Sequence, residues 1–133
     1  AFLALSISQQ KEFLKTLNNN TSEIQVSYMT INQLQELDKL GHEIGGHSFY
    51  HDIYTRLHAD EILEDIQKTK QTLSQIGIII SSYAYTDGQY SSKIIDILKN
   101  ESVKYACAIK SKKLTQNEEL ELERKFVTEN EII

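Results

Sequence analysis

Short apolar runs recur along the chain and are separated by longer amphipathic stretches. Runs of this length, bounded by turn residues, are typical of strands buried in a parallel sheet. They predict strands at Ala1–Ile7, His42–Gly46, Ile78–Ala84, Tyr105–Ile109 and Lys125–Val127, with a short extended segment at Ile24–Tyr28.

The stretches between these runs carry apolar residues at helical spacing, often behind a capping residue. The first two predicted helices are Gln9–Leu17 behind Ser8, and a helix opened by a Thr30 and Gln33 capping box with Ile31, Leu34 and Leu37 on one side. The longest begins at His58 or Asp60 and buries Ile62, Ile66, Leu73 and Ile76, and the last begins at Ser91 or Ser92 and buries Ile94, Ile95 and Leu98. Strands that alternate with helices predict a parallel α/β architecture.

Three turns punctuate this pattern. Gly41 and Gly77 follow predicted helices, where a left-handed glycine commonly ends the last turn. Thr86, Asp87 and Gly88 form a turn directly after the Ile78–Ala84 strand. The His42–Gly46 strand likewise leads straight into a loop. Because chemistry gathers at the carboxyl ends of parallel strands, we expect both loops to lie on one rim.

Composition and charge narrow the function. The chain has 133 residues and a net charge of −5, which suits one acidic domain with its own core. Lys and Arg are scattered, which argues against nucleic acid or an anionic membrane as partner, and no apolar run is long enough for a transmembrane segment. The single Cys107 excludes an internal disulfide and suits a small buried position. The acidic run Glu118–Glu123 is interpreted as a solvated surface.

His47 and His51 are the strongest candidates for chemistry. They stand four residues apart behind Gly45 and Gly46, whose freedom would let the backbone turn sharply before His47. Two neutral imidazoles aimed at one point are common ligands of zinc. The spacing alone fits equally well a pair of loop histidines bonded to the backbone.

The surrounding sequence resembles a known family. Met29–Leu37, Gly41–Ser48, His51 and Thr55–Leu57 follow one another as in the central block of the polysaccharide deacetylases, the NodB-homology group or carbohydrate esterase family four. That block has a helix, a Gly-His-Glu-Ile-Gly-like strand, a His-(Ser/Thr)-x-x-His metal motif and a Leu before the next helix. The resemblance implies a distorted, incomplete (β/α) barrel formed by a single domain over residues 1–133.

The resemblance also assigns roles to residues. His47 and His51 would hold a divalent metal, most readily Zn²⁺, and Tyr85, Thr86, Asp87 and Gly88 would form one wall of the substrate groove, where their neighbouring tyrosines could stack on sugar rings. In this wall Ala84 stands at the family's Arg position, Thr86 replaces Pro and Asp87 replaces an aromatic residue.

Other polar residues near the histidine pair have structural interpretations. We expect His42 to cap the Gly41 turn, His58 to cap the following helix, and Ser48 to bond the loop backbone. Asp52 is a ligand by chemical type only, and Glu43 is interpreted as an exposed residue or as the partner of a basic residue.

The family's first motif has no counterpart here. That motif ends a strand with Asp-Asp, which supplies the general base and the third metal ligand, and this sequence contains no Asp-Asp pair. Ala1–Ile7 resembles the strand that follows the motif, so we expect the general base upstream of Ala1 and identify no catalytic residue in the 133 residues. The family's acid histidine in a Leu-x-His motif is also absent after His58.

The implied function is hydrolysis of N-acetyl groups on an N-acetylated polysaccharide, by a protein that is extracytoplasmic or secreted. Two alternatives stay open. One is a related amide hydrolase acting on a small non-sugar substrate, and the other is a non-catalytic carbohydrate-binding domain that lost the first motif. Because two imidazoles leave zinc one protein ligand short, we expect the 133 residues alone to bind metal weakly and to show little turnover.

Overall fold

The computed structural model describes residues 28–125. The chain divides into two compact units, Ala1–Thr30 and Ile31–Ile133, and almost all described residues belong to the second. The predicted strand Ala1–Ile7, the predicted helix Gln9–Leu17 and most of the Ile24–Tyr28 segment lie outside the described residues, as do Phe126 and Val127. The expectation of a single domain over all 133 residues stays a prediction.

Within residues 28–125, three parallel strands form the sheet: β1 (Ser82–Ala84), β2 (Tyr105–Ala108) and β3 (Leu122–Glu123), in that spatial order. Ala84 is in register with Cys107, and Cys107 with Leu122. Beyond β1, Gly46 forms an isolated parallel bridge with Tyr83. All four segments therefore run in the same direction, which confirms the α/β class, whereas a closed barrel is not confirmed by these strands.

The predicted strands are longer than the observed ones. Only Gly46 pairs within the expected strand His42–Gly46, and the expected strand Ile78–Ala84 begins its pairing at Ser82. Ile78 and Ile80 are buried while Ile79 is 88% exposed, so this approach to β1 is extended without being paired. The apolar pattern identified which side chains are buried, but the length of a strand depends on its neighbours.

In the described part of the chain, three α-helices flank these strands: α1 (Ile31–Lys39), α2 (Ala59–Ser74) and α3 (Ser92–Asn100). The predicted starts of all three are confirmed within a residue. At the start of α2, Glu61 accepts a hydrogen bond from the His58 backbone N–H at 2.8 Å. The side chain of Ser91 accepts one from the Ile94 N–H at 3.4 Å, which caps α3. Short 3₁₀ turns span Tyr54–Arg56, Thr86–Gly88 and Glu118–Leu120.

The two predicted glycine stops are confirmed. Gly41 has φ 86° and Gly77 has φ 85°, so both adopt the left-handed conformation after a helix. α1 itself is peripheral: it contains no buried residue, and Ile31 is 59% exposed. Its Gln35 side chain donates to the carbonyl of Ile76 at 2.8 Å and so ties α1 to the end of α2.

The core lies between the sheet and the helices α2 and α3. Its buried apolar members are Tyr54, Ile62, Ile66, Tyr83, Tyr85, Tyr90, Ile94, Ile95, Leu98, Val103, Ala106, Ala108 and Leu120. Leu73 and Ile76, which were expected in the buried stripe, are only half-buried. Within the described range, no helix combines the length and apolarity that a membrane crossing requires.

Glu121 corrects the interpretation of Glu118–Glu123 as a solvated run. Its side chain is buried and accepts hydrogen bonds from the Leu114 N–H, the Thr115 N–H and hydroxyl, and the Tyr90 hydroxyl. Burial acts to raise the pKa of this carboxyl, but the hydrogen bonds outweigh it and the pKa lies below its usual value. Glu121 thus orders the loop after β2.

Candidate metal and substrate site

His47 stands at the carboxyl end of the bridge between Gly46 and β1. The Gly46 N–H donates to the Ser82 carbonyl at 2.9 Å, and the Ala84 N–H donates to the Gly46 carbonyl at 2.8 Å. The chain therefore leaves the sheet edge directly at His47. This is the rim position that the strand pattern predicts.

The imidazoles of His47 and His51 are neighbours. Their ring centroids lie 4.9 Å apart and their planes meet at 82°. His47 Nδ1 lies 2.7 Å from the carbonyl oxygen of Ala84. Because a carbonyl oxygen can only accept, Nδ1 carries a proton, and in the neutral imidazole the lone pair is then on Nε2. Fixing one ring nitrogen in this way is how proteins prepare the other for a metal.

The sharp turns of the loop do not occur at the two glycines. Ser48 has φ 64° and His51 has φ 60°, so two non-glycine residues adopt the left-handed conformation. Gly45 and Gly46 are required for close approach instead, because a Cβ on Gly46 would stand 2.5 Å from the Tyr83 ring. The expectation of a turn before His47 was therefore wrong about the reason for these glycines.

Asp65 on α2 is hydrogen-bonded to this loop. Its buried carboxylate accepts from the Phe49 N–H at 3.0 Å, from the Ser48 hydroxyl at 3.1 Å and from the Tyr54 hydroxyl at 2.6 Å. The Tyr54 hydroxyl also bonds that of Tyr83, which accepts from the Ser48 N–H. The expected bonding of Ser48 to the loop backbone is present, since its hydroxyl accepts from the Asp52 N–H at 2.9 Å.

The two tyrosines of this cluster stay protonated. Burial first, and then the neighbouring Tyr83 and Asp65, raise the pKa of the Tyr54 hydroxyl far above its usual value. Burial likewise raises the pKa of the Tyr83 hydroxyl. Both hydroxyls are therefore protonated at neutral pH and can donate hydrogen bonds.

Sequence reasoning missed Asp65, Tyr54 and Tyr83. A signal for Asp65 was present, because it stands between Ile62 and Ile66 on the stripe that the helical spacing predicted to be buried. An acidic side chain on such a stripe requires partners, and here the partners are Ser48 and Phe49 of the histidine loop, together with Tyr54. The roles of Tyr54 and Tyr83 depend on tertiary contacts and left no comparable signal.

The Tyr85–Gly88 segment follows β1 on the same rim. Ala84, which bonds His47, directly precedes it. The Tyr85 ring is only 1% exposed, stacks on Tyr90 at 4.6 Å between centroids and donates its hydroxyl to the Leu120 carbonyl at 2.8 Å. It is therefore a core residue, and the expected stacking face for a sugar is not available.

The other residues of the turn differ in exposure. Asp87 is exposed, has φ 55° and accepts from the Gln89 side chain at 3.0 Å. Thr86 is buried, and its hydroxyl has no hydrogen-bond partner among the described residues. Gly88 has φ 65°, and a Cβ there would stand 2.8 Å from Ile109. Substrate contact by this turn stays a prediction.

A cavity of about 330 Å³ opens beside His47. Gly45 and Gly46 line one side, and the sheet residues Ser82 and Cys107 line another. Cys107, which was expected to be buried, is half-exposed to this space. The volume is in the range of small-ligand sites.

Two exposed aromatic rings lie on the loop between the histidines. Phe49 is 39% and Tyr50 is 55% exposed, and their ring centroids lie 4.9 Å apart. The Lys68 ammonium lies 4.5 Å from the first centroid and 4.6 Å from the second. Such cation–π contacts help to hold the rings in place.

The structure assigns surface or structural positions to the other polar candidates His42, Glu43 and His58. His42 is exposed, and His58 precedes α2 as expected. Glu43 accepts a bond from the Ser81 hydroxyl at 3.3 Å on the surface. Within residues 28–125, no group of three His, Cys, Asp or Glu side chains is close enough to hold a metal.

A comparison with protein families decides the assignment. The family model described as "Polysaccharide deacetylase" matches residues 4–106. The chain belongs to the polysaccharide deacetylase family. The match includes the histidine loop, the Asp65 cluster and the Tyr85–Gly88 turn. A comparison with curated protein sequences gives no match.

Solved structures of deacetylases share this fold. The Streptococcus pyogenes deacetylase PplD, in complex with acetate, has a TM-score of 0.58 and 19% identity over 64% of this chain and 38% of its own. IcaB from Ammonifex degensii has a TM-score of 0.62 and 18% identity over 84% and 53%. BC0361, a polysaccharide deacetylase from Bacillus cereus, has a TM-score of 0.63 and 16% identity over 86% and 42%.

These structural similarities cover only part of each deacetylase. At these identities the similarity shows the fold alone, and the chain spans 38% to 53% of the length of these three proteins. Family membership rests on the family model, which matches residues 4–106.

Proposed function

We propose that the protein is a metal-dependent hydrolase that removes N-acetyl groups from an N-acetylated sugar polymer. His47 and His51 would be two of the ligands of a divalent metal, Zn²⁺ in the first instance. The observation that carries the proposal is the bond from His47 Nδ1 to the Ala84 carbonyl, with the His51 ring beside it. It fixes the tautomer that a zinc ligand needs.

The donor set fits zinc in part. Catalytic zinc usually has three protein ligands and one open position, and the described residues supply two imidazoles. The third ligand and the general base would therefore come from outside residues 28–125, in the role that the family assigns to its Asp-Asp motif. A bound zinc ion would lower the pKa of a water molecule and polarise the acetamide carbonyl.

Residues of this chain would then orient the sugar. Asp87 is the exposed member of the Tyr85–Gly88 turn, and its carboxylate can accept from sugar hydroxyls. The partly exposed rings of Phe49 and Tyr50 would stack on the sugar in place of Tyr85, whose ring is buried.

Two features of the wider context agree with this proposal. The PplD structure contains acetate, the product that hydrolysis of an N-acetyl group would give. Polymers of N-acetylated sugars surround cells, so we propose an extracytoplasmic or secreted location for the protein.

The test combines zinc binding, by isothermal titration, with acetate release from an N-acetylglucosamine oligomer in the natural protein that carries this sequence. His47→Ala and His51→Ala should abolish acetate release and weaken zinc binding by more than the roughly 10–100-fold that loss of an outer partner costs. His42→Ala is the matched control, because His42 is exposed on the same segment, and it should behave as wild type.

Two results would contradict the proposal. Acetate release that survives both ligand substitutions would exclude the histidine pair from catalysis. Zinc binding without acetate release by the wild type would favour a small-amide hydrolase or a non-catalytic carbohydrate-binding domain, and release from a small acetamide would separate these two.

A further inference from the structure

Asp65 is a buried carboxylate without a cationic partner in the described part of the chain. It is 6% exposed, and the ion pair found among residues 28–125 joins Lys70 to Glu101 instead. A buried charge is costly unless hydrogen bonds compensate for it. Its donors are Ser48, Phe49 and Tyr54, and the first two belong to the histidine loop.

The loop needs such support because its backbone is strained. Ser48 and His51 both have positive φ, a backbone conformation that is sterically unfavourable for residues other than glycine. Loop strain of this kind persists only where the surroundings determine the conformation. The hydrogen bonds that Ser48 and Phe49 make with Asp65, Tyr83 and Asp52 hold the loop in this conformation.

The donor and acceptor of each hydrogen bond in this cluster follow from the chemistry of Asp65. The Asp65 carboxylate only accepts, so the Tyr54 hydroxyl donates to it and must accept from Tyr83. The Tyr83 hydroxyl in turn accepts from the Ser48 N–H. Asp65 therefore bonds the loop directly and also ends a chain of bonds that starts at the same loop. Its oxygens are occupied by backbone and hydroxyl groups, so it does not face the reacting atoms.

We propose that Asp65 is a positioning residue: it holds the His47–His51 loop in the paired-imidazole conformation before any metal binds. The inference deepens the proposed metal site, because a loop ordered in advance loses less entropy when it binds. Without Asp65, Ser48 and His51 would relax from positive φ and the two rings would separate.

The test is Asp65→Asn, which keeps the shape but leaves one acceptor oxygen where the Phe49 N–H now has two, and puts an NH₂ group in place of the other. The first measurement is an NMR contact between the His47 and His51 rings in metal-free protein, together with amide exchange at Phe49 and Ala84. We expect the ring contact and the Phe49 protection to be lost while Ala84, bonded to Gly46, stays protected. Asp96→Asn, on the exposed side of α3, is the matched control and should change neither.

The second measurement is zinc titration, in which Asp65→Asn should weaken binding roughly 10–100-fold. Ser48→Ala removes one bond to Asp65 and should give a smaller loss of the same kind, so it decides the matter if Asp65→Asn fails to fold. A ring contact that persists in both variants would overturn the proposal. Equal loss of protection at Phe49 and Ala84 would also overturn it, because Asp65 would then only stabilise the fold. If wild type binds no zinc, the metal site fails, and the ring contact still decides the role of Asp65.

Discussion

Replacing Gly46 by Ala tests how tightly the histidine loop is joined to the sheet. The added Cβ would stand 2.5 Å and 2.6 Å from two carbons of the Tyr83 ring. Carbon atoms normally rest about 3.5–4.0 Å apart, so the ring would have to move by about 1 Å. Tyr83 is 3% exposed, stacks on Tyr54 and bonds Ser48 and Tyr54, so it has no free direction in which to move.

The expected cost follows from these contacts. Overpacking a close-packed site costs about 1–3 kcal/mol, and a hydrogen bond stretched by the shift costs about 0.5–1.5 kcal/mol more. We therefore expect Gly46→Ala to lower the free energy of unfolding by about 2–4 kcal/mol, measured by urea unfolding with circular dichroism.

Gly41→Ala is the control for this experiment. Gly41 has positive φ, but a Cβ there would meet no atom within 4 Å. Its substitution should cost only the backbone strain, about 1–2 kcal/mol. A loss at Gly46 no larger than the loss at Gly41 would refute the reasoning from close approach, since the steric contact would then contribute nothing.

Two further predictions concern the buried carboxylate of Glu121 and the serine that caps α3. The folded-state pKa of Glu121 lies below its unfolded value, so its contribution to stability is present above pH about 4.5 and is lost as the pH falls through the folded pKa. The free energy of unfolding should therefore fall more steeply with decreasing pH in wild type than in Glu121→Gln. Equal slopes of the two proteins would contradict this assignment. Ser91→Ala should lower the free energy of unfolding by only about 0.5–1 kcal/mol, because the hydrogen bond from the Ile94 N–H to the Ser91 side chain is long. Ser92→Ala, one residue inside α3, is the control and should be nearly neutral. Similar thermal unfolding of both variants would argue against the cap.

The helices were the most predictable part of the fold. α3 has a capping serine and an apolar stripe, and Ile94, Ile95 and Leu98 are all buried as expected. These are local signals, and they hold wherever the helix packs. Strand limits were less predictable, because the pairing of Gly46 depends on how far β1 extends beside it.

The candidate site was predicted in part. The spacing of His47 and His51, together with the resemblance, placed the rings side by side, and the structure agrees. Tyr85 could not be assigned from sequence, because an aromatic residue after a strand faces either the core or the rim according to the strand's register. Glu121 was misinterpreted for a related reason: an acidic run usually faces solvent, and only the tertiary fold brings four donors to one of its members.

The way the histidine loop is fastened also sets when it can form during folding. Its anchors are remote in sequence: Phe49 bonds Asp65 sixteen residues away, Ser48 bonds Tyr83 thirty-five away, and His47 bonds Ala84 thirty-seven away. Contacts between distant residues require loop closure and therefore form slowly. We therefore expect the two imidazoles to be held together only after α2 and β1 have docked, and a nascent chain that has not yet made β1 to offer no paired site for the proposed metal.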